Sequence, residues 1–189
     1  MPTSTPRAED RRRRAVLESA LETFARTGYR ATSMDAVARA AKISRPGLYY
    51  LFESKEALFR EAASHVLARD LDEVERLLAT QERPVEDRLV DAFDQWAGRY
   101  VGPLAREVPT VVAENAELLD DVAREAPARF RAMLAAAVES ALPDARGVAE
   151  TLESVSVGLL HQVETRDAYR VRLRTAVELI VRAARAGAS

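Results

Sequence analysis

An all-α fold of about nine helices is predicted by three features of this 189-residue sequence. Apolar residues recur at three- and four-residue spacing almost throughout, which marks helices with one buried face. No stretch alternates apolar and polar residues long enough to make a strand. Helix-breaking and capping residues punctuate the chain at helix-length intervals, at Gly28, Thr32-Ser33, Ser44, Ser54, Arg83-Pro84, Gly102-Pro103, Pro143-Asp144 and Glu164 to Arg166.

Taken in order, Val16, Leu17, Ala20, Leu21, Phe24 and Ala25 share one face of the first helix. Gly28 ends it, because glycine takes the positive φ of a C′ position without strain. Thr32-Ser33 offers an N-cap to a second helix, SMDAVARAA, whose first turn carries Asp35 where the dipole favours an acid. Lys42-Ile43 closes that helix and Ser44 caps a third. Arg45 and Pro46 are its first two positions, where a missing N–H does no harm. Ser54 caps a fourth, running from Lys55 towards Gln81 with an apolar stripe through Leu58, Ala62, Val66, Leu71, Val74 and Leu78. Five more helices are predicted over 85–100, 103–115, 117–142, 147–163 and 166–186, with Pro127 expected to restart or kink the one over 117–142.

Composition narrows the function classes. There is no cysteine, so disulfides and thiolate metal sites are excluded, and two histidines, His65 and His161, are too few and too far apart for a usual zinc site. No metal and no cofactor is expected. No apolar stretch approaches the roughly 20 residues of a membrane span, and the N-terminus leads into no apolar signal core. A cytoplasmic protein without a membrane partner is the expectation. HExxH, G-x-S-x-G and glycine-rich phosphate loops are missing, so an enzyme is not expected. Residues 1–60 hold 12 Lys/Arg against 7 Asp/Glu, and the remainder 16 against 23. A basic front on an acidic body suggests that only the front meets a polyanion.

The second helix, the short turn 40–44 and the third helix form a helix-turn-helix candidate. Alanines in the turn allow close approach, and Ile43 plugs the angle above Phe24, Val37 and Leu48. In that geometry the third helix presents its leading end to a DNA major groove. Leu48 and Phe52 point inward. Ser44, Arg45, Gly47, Tyr49 and Tyr50 lie around the exposed side. Ser44 and the first-turn N–H groups can meet a phosphate. Arg45 can reach guanine O6/N7 or a phosphate. Tyrosine hydroxyls can donate to phosphate, Gly47 lets the helix press close, and Lys55 is a second phosphate contact beside Thr32-Ser33.

Residues 15–61 resemble the DNA-binding domain of the TetR/AcrR family of bacterial repressors, through F-A-R-T-G-Y, A-T-S-M-D-A-V-A, I-S-R-P-G-L-Y-Y-L-F and S-K-E-A-L-F in order and at family spacing. The resemblance implies a homodimer on a near-palindromic double-stranded DNA operator, released by a small-molecule effector. Position by position it implies DNA contacts from Thr32, Ser33, Ser44, Arg45, Tyr49 and Lys55; Pro46, Gly47 and Tyr50 complete the candidate interface. Gly47 and Leu51 depart from the family's pattern, where a hydroxyl residue and a histidine or tyrosine are common. A basic arm over residues 1–9, expected to be disordered, precedes the DNA-binding domain, 10–54. A ligand-binding and dimerisation domain, 55–189, follows.

In that body Phe93, Trp96 and Tyr100, with Phe130, Met133 and His161, are candidates to line a largely apolar effector pocket. Leu152, Val155, Gly158 and Leu159, with Leu173, Val177, Ile180 and Val181 on the last helix, are candidates for the dimer interface, where two helices from each protomer make a four-helix bundle. The alternative is a helical interaction protein that has lost specific DNA binding.

Overall fold

The computed structural model describes residues 6–101 and 107–187. Among them are nine α-helices: α1 (Pro6–Thr27), α2 (Met34–Ala40), α3 (Arg45–Leu51), α4 (Lys55–Leu78), α5 (Val85–Trp96), α6 (Glu107–Glu114), α7 (Asp121–Val138), α8 (Ala145–Leu160) and α9 (Arg166–Ala186). Single 3-10 turns occupy Gly98–Tyr100 and Ala116–Leu118, and the described residues contain no strand. They group into two compact units, one of residues 6–68 with 107–124, the other of residues 69–101 with 125–187. Helix α4 contributes residues to both.

The core of the first unit is built from the faces the periodicity marks. Val16, Leu17, Ala20, Leu21 and Phe24 of α1 are buried, with Val37 and Ala38 of α2, Leu48 of α3, and Phe52, Leu58 and Phe59 beyond it. Phe24 meets Phe59 edge-on at 5.3 Å, and Tyr29 closes the triangle at 5.0 Å from Phe59. Gly28 has φ +79° and its N–H donates to Phe24 O at 2.8 Å, ending α1 as expected. The start of α1 differs from expectation. Residues 6–9 are helical rather than part of an unstructured arm. Proline needs no N–H partner at a first helical position, so Pro6 is a natural start. Residues 1–5 of the expected arm lie outside the described residues.

Seven-residue helices are unstable alone, so α2 and α3 depend on burial and capping. Burying a side chain such as Leu48 or Phe52 contributes about 1.5–3 kcal/mol each. Ser33 accepts from Ala36 N at 3.2 Å and Ser44 from Gly47 N at 3.1 Å, capping both starts. The turn between them closes with two reversed bonds, Lys42 N to Arg39 O at 3.1 Å and Ile43 N to Ala38 O at 3.0 Å. That pattern needs a left-handed residue at its centre, and Lys42, at φ 54°, supplies it.

In the second unit α5 and α9 are joined by an acidic-to-basic ladder. Asp87 pairs with Arg174 at 2.6 Å, Asp91 with Arg170 at 2.8 Å, and Glu86 with Arg185 at 2.7 Å. Asp94 pairs with both Arg166 and Arg170. Helix α5 stops at Trp96, short of the predicted 100, and the chain continues into a 3-10 turn whose first residue, Gly98, is buried beside Tyr169. A Cβ there would lie 2.8 Å from the ring. Tyr169 in turn shares a 2.7 Å hydrogen bond with Ser156 of α8. Helix α7 runs through Pro127 without a restart; the proline is exposed and removes a single N–H from the ladder. No helix among the described residues is long and apolar enough to cross a membrane.

Candidate functional site

The exposed side of α3 follows from its inner side. Leu48 is buried and fixes the rotation of the helix, so Arg45, Pro46, Tyr49 and Tyr50 face solvent. Tyr50 is 90% exposed, the most exposed large apolar side chain described. Gly47 is half-buried; a Cβ there would sit 3.0 Å from Ser44 Oγ and crowd the cap. Ser33 and Ser44 are exposed, and each hydroxyl accepts its capping bond while keeping a hydrogen to donate.

Arg45 has a partner that sequence reasoning missed. Its guanidinium reaches back across the turn to Asp35 of α2, with Nη1 3.3 Å from Oδ2 and Nε 3.2 Å from Oδ1. It also lies 5.6 Å from the centre of the Tyr49 ring. Three of the fork's five N–H donors remain for an outside acceptor. The opposite charges on either side of the turn were the available signal.

Two expected DNA contacts, Thr32 and Lys55, are turned inward. Thr32 is 3% exposed, and its hydroxyl donates to Gly28 O at 2.8 Å and bonds Thr27. The Lys55 ammonium donates to the carbonyls of Tyr29 at 3.0 Å, Thr32 at 3.2 Å and Arg30 at 3.4 Å, and sits 4.6 Å from the Tyr29 ring centre. It pins the loop between α1 and α2 instead of presenting charge. The Tyr29 hydroxyl has its pKa raised by burial first and then by Glu56 and Glu117. Arg13, in the run Arg11 to Arg14, bonds Leu51 O at 2.9 Å, pairs with Glu61 and lies 4.4 Å from the Phe52 ring centre. It clamps the end of α3. Arg11, Arg12 and Arg14 are exposed.

The expected pocket residues divide. Phe130 stacks on Trp96 at 4.8 Å and 12°, and meets Phe93 edge-on at 5.2 Å. With Phe93 and Phe130 at 1% and 0% exposure, these rings fill one another's space as core. Tyr100 lies on the 3-10 turn and donates to Asp70 Oδ2 at 2.9 Å. Its pKa is raised, chiefly by burial and then by the Asp70 charge. Met133 is half-buried on α7, and His161 is exposed at the C-cap of α8.

The expected interface residues divide too. Leu152, Leu159, Leu173, Val177 and Val181 are buried within the single chain. Val155, Gly158 and Ile180 are half-buried. The large apolar side chains that α8 and α9 leave in solvent are Val157, Val171 and Leu179. Apolar spacing locates an inner face, and the inner face here is taken by the chain's own core.

Residues 16–62 match the model of the family described as bacterial regulatory proteins, tetR family. ComR, an HTH-type transcriptional repressor of Escherichia coli K12, is 36% identical over 81 residues, 43% of this chain and 39% of ComR. The matched segments span only 29% to 39% of the length of such curated relatives. A solved structure assigned to the TetR family, from Mesorhizobium loti, superposes with a TM-score of 0.70 at 18% identity, covering 95% of this chain and 98% of its own. A transcriptional regulator from Saccharomonospora viridis, solved with choline, gives 0.69 at 23% identity, with 89% and 96% covered. At such identities the likeness is one of fold. Residues 16–62 thus match the DNA-binding domain of the tetR family, and the chain as a whole shares the fold of solved TetR-family regulators.

Proposed function

We propose that this chain is a sequence-specific repressor, a homodimer that enters successive major grooves of a palindromic operator with α3 and leaves when its body takes up a small molecule. The observation that carries the DNA reading is the exposed side of α3. A bulky, 90% exposed Tyr50 beside Arg45 and Tyr49 is poorly suited to water, yet a buried Leu48 holds that face outward. Groove and backbone contacts would satisfy an arginine fork and two phenols together. On DNA, Arg45 keeps Asp35 on one edge and turns its outer edge to a base or phosphate, while Tyr49, Ser33 and Ser44 donate hydroxyls to the backbone. Release by a small molecule is supported by the family's fold and by the choline-bound neighbour. A ligand releases the dimer if it favours a separation of the two α3 helices that misses the roughly 34–36 Å groove repeat.

The test begins with selection of bound sequences from random duplexes. Anisotropy titrations then compare the winning duplex with a scrambled one over a range of salt. Arg45→Ala and Tyr50→Ala are expected to weaken binding to the selected duplex by about tenfold each, with the melting temperature unchanged. Equal affinity of the unmodified protein for selected and scrambled duplexes at low ionic strength would sink the reading.

A further inference from the structure

Within the second unit, two buried carboxylates are each met by more than one guanidinium. Asp70 of α4 is 1% exposed; its Oδ1 accepts from Arg69 at 3.2 Å, from Gln95 at 3.1 Å and from Arg99. Asp94 of α5 takes Arg166 through both oxygens, at 2.9 and 2.8 Å, and Arg170 as well. The acids lie behind the arginines and aim them. Arg69, Arg99 and Arg166, joined by Arg76, open onto one cleft of about 640 Å3 between α4, Gln95 of α5, the 3-10 turn and the start of α9. Each guanidinium has five donors in a fixed plane. Arg166 spends two on Asp94, and Arg76 spends two on Glu73, so each keeps three donors for a ligand. The cleft's own acids are Glu73, taken by Arg76, and exposed Asp72. Four arginines therefore converge on a concave surface with two acids in it.

We propose that this cleft binds a small phosphorylated molecule. Converging guanidiniums suit a group that offers several acceptor oxygens in different directions and nearly two negative charges, whereas a single carboxylate is satisfied by one fork. The volume lies in the range of small-ligand sites and admits more than one phosphate. The site rests on side chains of the second unit alone, so it stands or falls independently of DNA binding.

Pyrophosphate is the probe, titrated calorimetrically into the full-length protein with sodium chloride held at matched ionic strength. Saturable binding is expected. Arg76→Ala should weaken it by about tenfold, with Arg76→Lys between the two. Arg76 suits the test because its side chain is 68% exposed and its salt-bridge partner, Glu73, is on its own helix, so the unliganded melting temperature should not move. Arg99→Lys, which keeps a cation on Asp70, should weaken binding too. No saturable heat at millimolar pyrophosphate, or binding that Arg76→Ala leaves intact, overturns the site. Tighter binding of citrate than of pyrophosphate under the same conditions overturns the phosphate assignment.

Discussion

At Lys55 three carbonyl oxygens and an aromatic ring surround one ammonium group. Removing it leaves loop carbonyls without their charged donor, at a cost of about 2 kcal/mol. Lys55→Ala is therefore expected to lower the urea midpoint. The slope of log affinity against log salt should stay as it is, since a lost phosphate contact would reduce that slope by about 0.9. A reduced slope with unchanged stability would return Lys55 to the DNA-contact set. Lys42 carries a different strain. A side chain in the left-handed region is disfavoured by about 1–2 kcal/mol, while glycine loses about 0.5–1 kcal/mol more than alanine in chain entropy on folding. Lys42→Gly is thus expected to stabilise by about 0.5–1 kcal/mol, read as a higher urea midpoint at constant m. The caps at Ser33 and Ser44 and the stop at Gly28 were legible because each acts within four residues of itself. The inward turns of Lys55 and Arg13 were not, because their partners lie 23 to 26 and 38 to 48 residues away. A basic residue beside a helix-turn-helix reads as surface until the fold brings an acceptor to it.

Between elements, the α5–α9 ladder gives the second unit a pH dependence of known sign. Burial alone would raise the Asp91 pKa, but hydrogen bonds from Arg170 at 2.8 Å and Arg83 at 2.7 Å, with their charges, outweigh it and the net shift is downward. A carboxylate with a depressed folded-state pKa stabilises the fold above its unfolded pKa, about 4. That contribution is lost as pH falls through the folded value below it. Asp91→Asn should therefore be less stable than the unmodified chain at neutral pH. Its stability should also fall less steeply on acidification below about pH 4. Parallel acid profiles for the two proteins would show that the pair carries no net linkage. Helical periodicity made all the helices from α1 to α9 legible, with ends displaced where distant packing decides them. Just past the end of α5, Gly98 packs beside Tyr169, a residue far along the chain. The ladder itself was hidden, since an acidic face on one helix and a basic one on another both read as solvated until they are placed side by side.

For the whole molecule, the palindrome binding proposed above would require two copies of α3 held in fixed register, so a dimer surface would decide function as much as the reading helix. Apolar spacing on the last two helices pointed to the residues that fill the chain's own core. What those helices leave outside is Val157 at 52% exposure, Val171 at 67% and Leu179 at 58%. On α9, Val171 and Leu179 are eight residues apart, two turns along one side, with exposed Thr175 between them. A helix surface that keeps branched apolar side chains in water at that spacing suits burial against a second copy, and a C2 contact would double every such residue. Leu179→Arg places a charge there and repeats it across the symmetry axis. Its side chain is exposed within the protomer, so the helical content and melting of the protomer should survive. Sedimentation should shift from dimer to monomer at micromolar concentration. Affinity for the selected palindrome should fall by tenfold or more, roughly the loss of one tethered half-site, while a single half-site duplex is bound as before. If the variant sediments as a dimer and keeps its operator affinity, the partner surface lies elsewhere on the body. If it sediments as a monomer yet binds the palindrome unchanged, the two copies do not act through this contact when they hold DNA.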